Sequence, residues 1–108
     1  MHRRARCGLK MAGNKYILMK EYNKAIAIFQ EIIINSIDSN DYYKYAYLLV
    51  MLGESEKALE FLKKRESYLR NDICKFLMET VLESKNEIAA KNDKKGLIVF
   101  DIILGKKG

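Results

Sequence analysis

The chain of 108 residues repeats one spacing of large and small residues after 33 positions. Three pairs of equivalent residues share this offset: Leu9 and Tyr42, Gly13 and Ala46, and Ala25 and Ala58. A fixed period of this length, with large and small residues at helical spacing, is typical of helix pairs that stack in series. The repeat therefore predicts an all-α protein of antiparallel helix pairs, a class that usually binds other proteins.

The pattern of apolar residues predicts six helices in a single domain that spans residues 1–108. Their expected ranges are about Arg4 to Met19, Tyr22 to Asn35, Asp41 to Leu52, Glu56 to Leu69, Ile73 to Ala90, and Lys95 to Leu104. The sequence has no proline, so Gly, Asn, Asp and Ser must set the helix ends. We expect Ser39 or Asn40 to cap the third helix, Asn71 and Asp72 to precede the fifth, and Gly53 to end the third.

Small residues at equivalent positions are expected where the two helices of a pair cross closely, and large residues fill the space beside them. The residues assigned to this packing are Gly13, Ala25, Phe29, Ala46, Ala58, Leu62, Gly96 and Phe100. Replacement of Ala25 or Ala58 by a large residue should overpack a crossing and cost about 1–3 kcal/mol.

Composition and charge argue against several classes of function. The net charge is +6, but the lysines are spread along the chain and do not form one basic face, so we do not expect nucleic-acid binding. No apolar run approaches the roughly 18 residues of a membrane span. Polar residues follow the basic start, which argues against a secretory signal.

Neither a metal site nor a catalytic site is expected. Cys7 and Cys74 lie far apart in the sequence, which has one histidine, His2, so no metal-binding spacing occurs. We expect both cysteines to be small core or groove residues in a reducing compartment. The sequence also contains no glycine-rich phosphate loop and no HExxH motif. We therefore expect no cofactor and no enzymatic activity.

The repeated pattern resembles the tetratricopeptide repeat (TPR). The first repeat supplies Leu9, Ala12, Gly13, Tyr16, Tyr22, Ala25 and Phe29, and the second supplies Tyr42, Tyr45, Ala46, Leu49, Gly53, Ala58 and Leu62. The resemblance implies a right-handed superhelix of about three repeats, at about 5–37, 38–70 and 71–105. Both repeats lack the closing proline. The third is degenerate, with Ser84, Gly96 and Phe100 in the equivalent roles. An alternative register places Ala90 where Gly96 stands and Lys94 at the Phe position.

A second resemblance is to the N-terminal region of the TPR subunits of the anaphase-promoting complex (cyclosome), of the cell division cycle protein sixteen type. It covers roughly Leu9 to Leu82, and its least generic part is the tetrad Cys74-Lys75-Phe76-Leu77. It implies an intracellular scaffold, in the nucleus or cytoplasm, within a multisubunit ubiquitin ligase. Such regions form homodimers in which each groove embraces the partner's first helices. The chain would then be a dimerisation fragment or a reduced subunit, and other subunits are possible partners.

In a TPR superhelix the first helix of each pair lines the concave groove. The residues predicted to line a partner-binding groove are Lys10, Asn14, Ile17, Tyr43, Tyr47, Val50, Met78 and Val81, with Asn40, Lys85 and Ile88 at further positions. The alternative is a co-chaperone or adaptor module that clamps a peptide's C-terminal carboxylate. Lys10 and Asn14 match that clamp, but Lys44 stands where another Asn is expected, and Met78 and Leu82 replace a basic pair.

Overall fold

The computed structural model describes the backbone of residues 3–70 and 74–105, and the side chains of these ranges from Gly8 onward. All regular structure in these residues is helical, which confirms the all-α prediction. The helices are α1 (Arg3–Leu18), α2 (Tyr22–Asn35), α3 (Ser39–Met51), α4 (Ser55–Lys64), α5 (Lys75–Ala90) and α6 (Lys94–Ile103). A single 3-10 turn, Glu66–Tyr68, follows α4.

The helices pack as three consecutive pairs, α1 with α2, α3 with α4, and α5 with α6. The first pair joins the second through contacts between α2 and α3. The third pair joins the second through α4 and α6, and α3 also contacts both α5 and α6. Helix α3 consequently lies at the centre, and eleven of its thirteen residues are buried.

One kind of turn closes all three pairs. Lys20, Gly53 and Asn92 each have a positive φ, of 60°, 82° and 58°. In each turn the N–H of this residue bonds a carbonyl three residues back, and the next N–H bonds one five residues back. This is the Schellman arrangement that ends many helices. The offset from Lys20 to Gly53 equals the sequence period, and the offset from Gly53 to Asn92 is longer, so the repeat is visible in the backbone as well as in the sequence.

The structure buries all eight residues that were assigned to packing within the pairs. The first crossing is tight, because a Cβ added at Gly13 would lie 2.6 Å from Cε2 of Phe29. Glycine is therefore required there by the aromatic ring opposite. In the third pair Gly96 is buried against Ile88 and Asp93, whereas Ala90 is exposed. The burial of Gly96 favours the register that places it, rather than Ala90, in the packing position.

Three helix ends differ from the sequence prediction or fall outside the described residues. Asp38 caps α3, because its Oδ1 accepts the N–H of Asn40 at 2.9 Å, so Ser39 and Asn40 lie inside the helix. A carboxylate is a strong N-cap acceptor and precedes both residues in the chain. Helix α4 ends at Lys64 rather than near Leu69, because the chain forms the 3-10 turn Glu66–Tyr68 directly after it. The predicted cap at Asn71 and Asp72 and the start at Ile73 lie outside the described residues.

The second and third pairs are tied together by one carboxylate. Asp93 caps α6 by accepting the N–H of Gly96 at 2.9 Å, and its other oxygen accepts the hydroxyl of buried Ser55 at the start of α4. Lys95 and Glu56 add an ion pair at 3.3 Å beside this junction. These bonds place the first turns of α4 and α6 side by side, which fixes the position of the third pair against the second.

Candidate interaction cleft

An open cleft of about 250 Å³ lies between the α1–α2 turn and helix α5, with α3 beneath it. The first pair contributes one wall, α5 contributes the other, and Tyr47 of α3 forms the floor. The lining residues are Ile17, Leu18, Lys20, Tyr22, Tyr47, Thr80, Glu83, Ser84 and Glu87. The cleft therefore joins residues that are distant in sequence and depends on how the first and third pairs sit on the second.

The α1–α2 turn decides what the first wall presents. Lys20 adopts a left-handed conformation, and Glu21 donates its N–H to the carbonyl of Tyr16 at 2.9 Å. This tight turn leaves Leu18 67% exposed at the edge of the cleft, while Ile17 is buried one residue earlier. An exposed leucine costs free energy in water unless another surface covers it. The first wall consequently presents the apolar side chain of Leu18 and the basic side chain of Lys20.

Tyr47, which forms the floor, contacts three other side chains. The hydroxyl of Tyr47 lies 2.7 Å from Oγ of Ser84, which links α3 to α5. The rings of Tyr22 and Tyr47 meet edge to face with centroids 6.3 Å apart. On its other side the Tyr47 ring stacks on Phe100 of α6 at 5.8 Å. Tyr47 is therefore held by three helices and forms a rigid, almost fully buried base to the cleft.

Burial sets the protonation of these phenols. It raises the pKa of Tyr47 well above its ordinary value, and the hydrogen bond with Ser84 offsets this only in part. Burial also raises the pKa of Tyr22, hydrogen bonding to Tyr47 lowers it, and the charge of Glu87 raises it again. Both phenols therefore remain neutral at physiological pH. The hydroxyl of Tyr47 is taken up by its bond with Ser84 inside the fold, whereas Tyr22 is only half-buried.

The second wall is a polar stripe along α5. Thr80, Glu83, Ser84 and Glu87 are spaced i, i+3, i+4 and i+7, which places them on one face of the helix. Neither Glu83 nor Glu87 has an ion-pair partner within the part of the chain that the structure describes. The cleft therefore carries along one side two solvent-exposed carboxylates that form no ion pair with a described residue.

Five of the eight residues predicted to line a partner-binding groove are instead buried in the core: Ile17, Tyr43, Tyr47, Val50 and Val81. Of these five, only Ile17 and Tyr47 also line the cleft. The prediction of an open groove along α3 is corrected for a physical reason, which is that α5 and α6 fold over this helix. Tyr43, for example, donates its hydroxyl to the carbonyl of Arg70 and does not face solvent.

The other three predicted groove residues lie outside the cleft. Lys10 is half-buried, and its Nζ pairs with Oδ2 of Asp41 at 3.0 Å and of Asp38 at 3.6 Å. Asn14 is half-buried, and its Oδ1 is enclosed without a hydrogen-bond partner, as is Oδ1 of Asp41. Met78 is exposed on α5 but does not line the cleft. The ammonium of Lys10 is thus neutralised within the chain.

The polar stripe of α5 was missed because the predicted groove placed Met78, Val81, Lys85 and Ile88 on the inner side of the helix. Val81 and Ile88 point into the core together with Leu77. The signal was present, since polar residues recur at i, i+3, i+4 and i+7 on the face beside these apolar residues. Neighbouring residues on a helix differ in direction by roughly 100°. An error of one or two residues in the assigned face therefore selected a different set of side chains for the whole wall.

The cysteines and possible ligands add little to the site. Cys74 has a free thiol and is half-buried, and its backbone N–H donates to Oδ1 of Asn40 at 3.2 Å. The side chain of Cys7 lies outside the described residues. No group of three or more His, Cys, Asp or Glu side chains suited to a metal ion occurs among the described side chains. Within residues 3–70 and 74–105 no helix combines the length and apolar character needed to cross a bilayer.

Searches with this sequence and structure against protein-family models, curated proteins and solved structures gave no match. The inference of function therefore rests on the residues and the geometry of the cleft.

Proposed function

We propose that this chain is a protein-interaction module of the TPR type, in which three helix pairs follow a right-handed superhelix and the cleft binds a partner protein. The observation that carries this proposal is the open cleft between the first pair and α5, edged by the exposed Leu18. Rigid walls around an open, partly apolar groove suit the binding of another polypeptide. The equivalent turns at Lys20, Gly53 and Asn92 support the repeat architecture.

The partner that we propose is a second copy of the chain, which would make the module a homodimerising scaffold. This follows the resemblance to the anaphase-promoting-complex subunits and implies an intracellular role in a multisubunit ubiquitin ligase. Charge complementarity supports it, because the sequence contains Arg3, Arg4 and Arg6, while Glu83 and Glu87 line the cleft. A stable dimer of this kind should bury more than about 1,200 Å² in total.

The carboxylate-clamp alternative is less favourable on the same geometry. A clamp needs a free ammonium for the peptide's terminal carboxylate, and Lys10 is already paired with Asp41, which is almost fully buried. Removing Lys10 from that pair would leave a buried carboxylate uncompensated, which is costly. The cleft itself carries carboxylates rather than a cluster of cations.

The test is the oligomeric state of two matched variants, measured by light scattering over a dilution series. Leu18→Glu places a charge at the edge of the cleft, whereas Ile34→Glu places one on an equally exposed residue of α2 outside it. We expect the wild type and Ile34→Glu to show twice the chain mass at high concentration, and Leu18→Glu to be monomeric with unchanged helical circular dichroism. A wild-type monomer at every concentration, or a Leu18→Glu dimer as stable as the wild type, would contradict the proposal.

A further inference from the structure

Ser67 differs from every other serine and threonine of the chain in its exposure. The sequence contains five serines and one threonine, and the structure describes all of their side chains. The covered ones are Ser36, Ser39, Ser55, Thr80 and Ser84. Ser67 is exposed, and its hydroxyl forms no hydrogen bond with a described residue. It is therefore the one serine or threonine among the described residues that an enzyme can reach without disturbing the core.

The backbone around Ser67 is held by few bonds. The residue lies in the 3-10 turn Glu66–Tyr68, which is followed by an extended Leu69. Two backbone hydrogen bonds close the turn, from the N–H of Tyr68 to the carbonyl of Arg65 at 2.9 Å and from the N–H of Leu69 to the carbonyl of Glu66 at 3.2 Å. A segment with so few bonds opens locally at a small cost in free energy. The hydroxyl can therefore be presented to an enzyme while the helices stay folded.

A run of three basic residues precedes this serine. Lys63, Lys64 and Arg65 are the only three consecutive basic residues in the sequence, and they lie four, three and two positions before Ser67. Lys63 and Lys64 are exposed, and Arg65 is half-buried. Kinases discriminate between substrates partly by such charge patterns, and a kinase with an acidic peptide-binding groove attracts basic residues beside the acceptor. The position of the run therefore matches a serine kinase that selects basic sequences.

Arg65 is placed to bind an anion close to Ser67. Its guanidinium lies 4.0 Å from the ring centroid of Phe61 and 5.8 Å from that of Tyr42, and Nη1 donates to the carbonyl of Phe61 at 3.4 Å. It forms no ion pair with a described carboxylate. The aromatic contacts restrict the side chain, and a planar guanidinium can bind phosphate oxygens in a bidentate manner. A phosphate two residues along the chain would thus find an unpaired cation that is already oriented.

We propose that Ser67 is a phosphorylation site for a serine kinase that selects basic sequences, and that Arg65 binds the phosphate once it is attached. In the transfer, Oγ of Ser67 attacks the γ-phosphorus of ATP, the bond from that phosphorus to the bridging oxygen breaks to release ADP, and the hydroxyl proton passes to a carboxylate of the kinase. The attached phosphate carries a charge of about −2 and adds hydrogen-bond acceptors beside Arg65. The inference goes beyond the proposed function and does not depend on it.

Phosphorylation of the folded chain tests the site. The chain is incubated with ATP, Mg²⁺ and the catalytic subunit of cyclic-AMP-dependent protein kinase, a serine kinase that selects basic residues before the acceptor. We expect mass spectrometry to find one phosphate per chain, on Ser67, and none on Ser67→Ala. Because this side chain is exposed, the variant should keep the wild-type circular dichroism. No transfer, or transfer to another serine or to the threonine, would overturn the site.

Matched lysine variants separate recognition of the basic run from a general effect of charge. Lys63→Gln with Lys64→Gln should lower kcat/KM for phosphorylation at least about tenfold, because the kinase loses two charges that it selects. Lys91→Gln with Lys94→Gln removes the same charge from lysines that are also exposed but distant in sequence from Ser67, and should be phosphorylated like the wild type. Equal kcat/KM values for the two double variants would contradict selection by the run.

A second measurement tests the role of Arg65. Phosphorus-31 NMR follows the second ionisation of the phosphate in the phosphorylated wild type and in Arg65→Gln phosphorylated with excess kinase. A paired guanidinium favours the dianion, so the pKa of the phosphate should be lower in the wild type, by about 0.3 or more. Lys64→Gln is the control, because its ammonium already pairs with Glu60 at 3.4 Å, and it should match the wild type. Equal pKa values in the wild type and Arg65→Gln would overturn binding of the phosphate by Arg65.

Discussion

The first two helix pairs are built alike, and the third is built differently. In the first two pairs the residue after the turn is a glutamate that bonds the lysine three positions later: Glu21 with Lys24 at 3.1 Å, and Glu54 with Lys57 at 2.6 Å. These two ion pairs therefore recur with the sequence period. In the third pair the equivalent residue is Asp93, which bonds the backbone of Gly96 and the hydroxyl of Ser55 instead. In the first two pairs the residue after the turn forms a surface ion pair. In the third pair it forms part of the contact between two pairs.

This difference extends from the turn of the third pair to the surface of its first helix. The third pair keeps the helical hairpin, but its turn at Asn92 comes later than the period set by Lys20 and Gly53 would place it. Its first helix buries Leu77, Val81 and Ile88 and presents Glu83 and Glu87 to the cleft. The third pair thus departs from the common period and also supplies the polar wall.

The largest expected effect tests the crossing of the first pair against that of the second. The first pair has Gly13 and Phe29 where the second has Ala46 and Leu62. Gly13→Ala should lower the free energy of unfolding by about 1–3 kcal/mol, because the new Cβ meets the buried ring at 2.6 Å. In a double-mutant cycle with Phe29→Leu, the double variant should be more stable than the sum of the two single effects predicts, by at least about 0.5 kcal/mol.

Gly8→Ala on the same helix is the control for this measurement. A Cβ at Gly8 meets nothing within 4 Å, so the substitution should raise the free energy of unfolding by roughly 0.5–1 kcal/mol through helix propensity alone. Chemical denaturation followed by circular dichroism gives both values. The same sign for Gly13→Ala and Gly8→Ala would show that the first crossing is not tight.

A smaller effect is expected at the two equivalent turns. Gly53→Ala should lower the free energy of unfolding by about 1–2 kcal/mol, because a side chain disfavours its φ of +82°. Lys20→Gly relieves the same strain, but the added backbone entropy of roughly 0.5–1 kcal/mol offsets most of the gain. Thermal or chemical denaturation should therefore separate the two variants in sign or in size. Equal effects would mean that the turns are not equivalent.

The smallest effect at neutral pH concerns Tyr47. Its pKa is raised in the folded chain by burial, so the unfolded chain loses the proton first as pH rises. The stability that this group contributes is fully present below the unfolded pKa of about 10 and is lost above it, as pH rises toward the folded pKa. The free energy of unfolding should thus fall with a steeper slope above about pH 10 in the wild type than in Tyr47→Phe. Parallel slopes would contradict the burial of this phenol.

The helices and their pairing could be predicted from the sequence because they depend on local spacing. The range of α2, the turn at Gly53 and the positions of Ala25, Ala46 and Ala58 all follow from helical periodicity and the repeat. These features require only that each helix bury its apolar face against the neighbour in its own pair. The burial of Gly96 depends on the same local rule.

The cleft could not be predicted, because exposure depends on contacts between pairs. Tyr43, Tyr47 and Val50 lie on the face of α3 that a superhelix would leave open, but the third pair covers them. The bond between Ser55 and Asp93 is part of that contact, and no repeat relates these two residues, which are distant in sequence. The role of Asp38 as the cap of α3 was also missed, because Ser39 and Asn40 are equally good capping residues by type.

The central claim is that the cleft between the first pair and α5 is where the chain binds its partner copy, and NMR cross-saturation tests it directly. Deuterated, nitrogen-15-labelled chain is mixed with unlabelled chain, and the aliphatic protons of the unlabelled copy are irradiated. The account predicts loss of amide intensity at Leu18, Lys20, Glu83 and Glu87, with Ile34 and Ile37 unaffected. Loss confined to Ile34 and Ile37, or no loss at any amide, would contradict it.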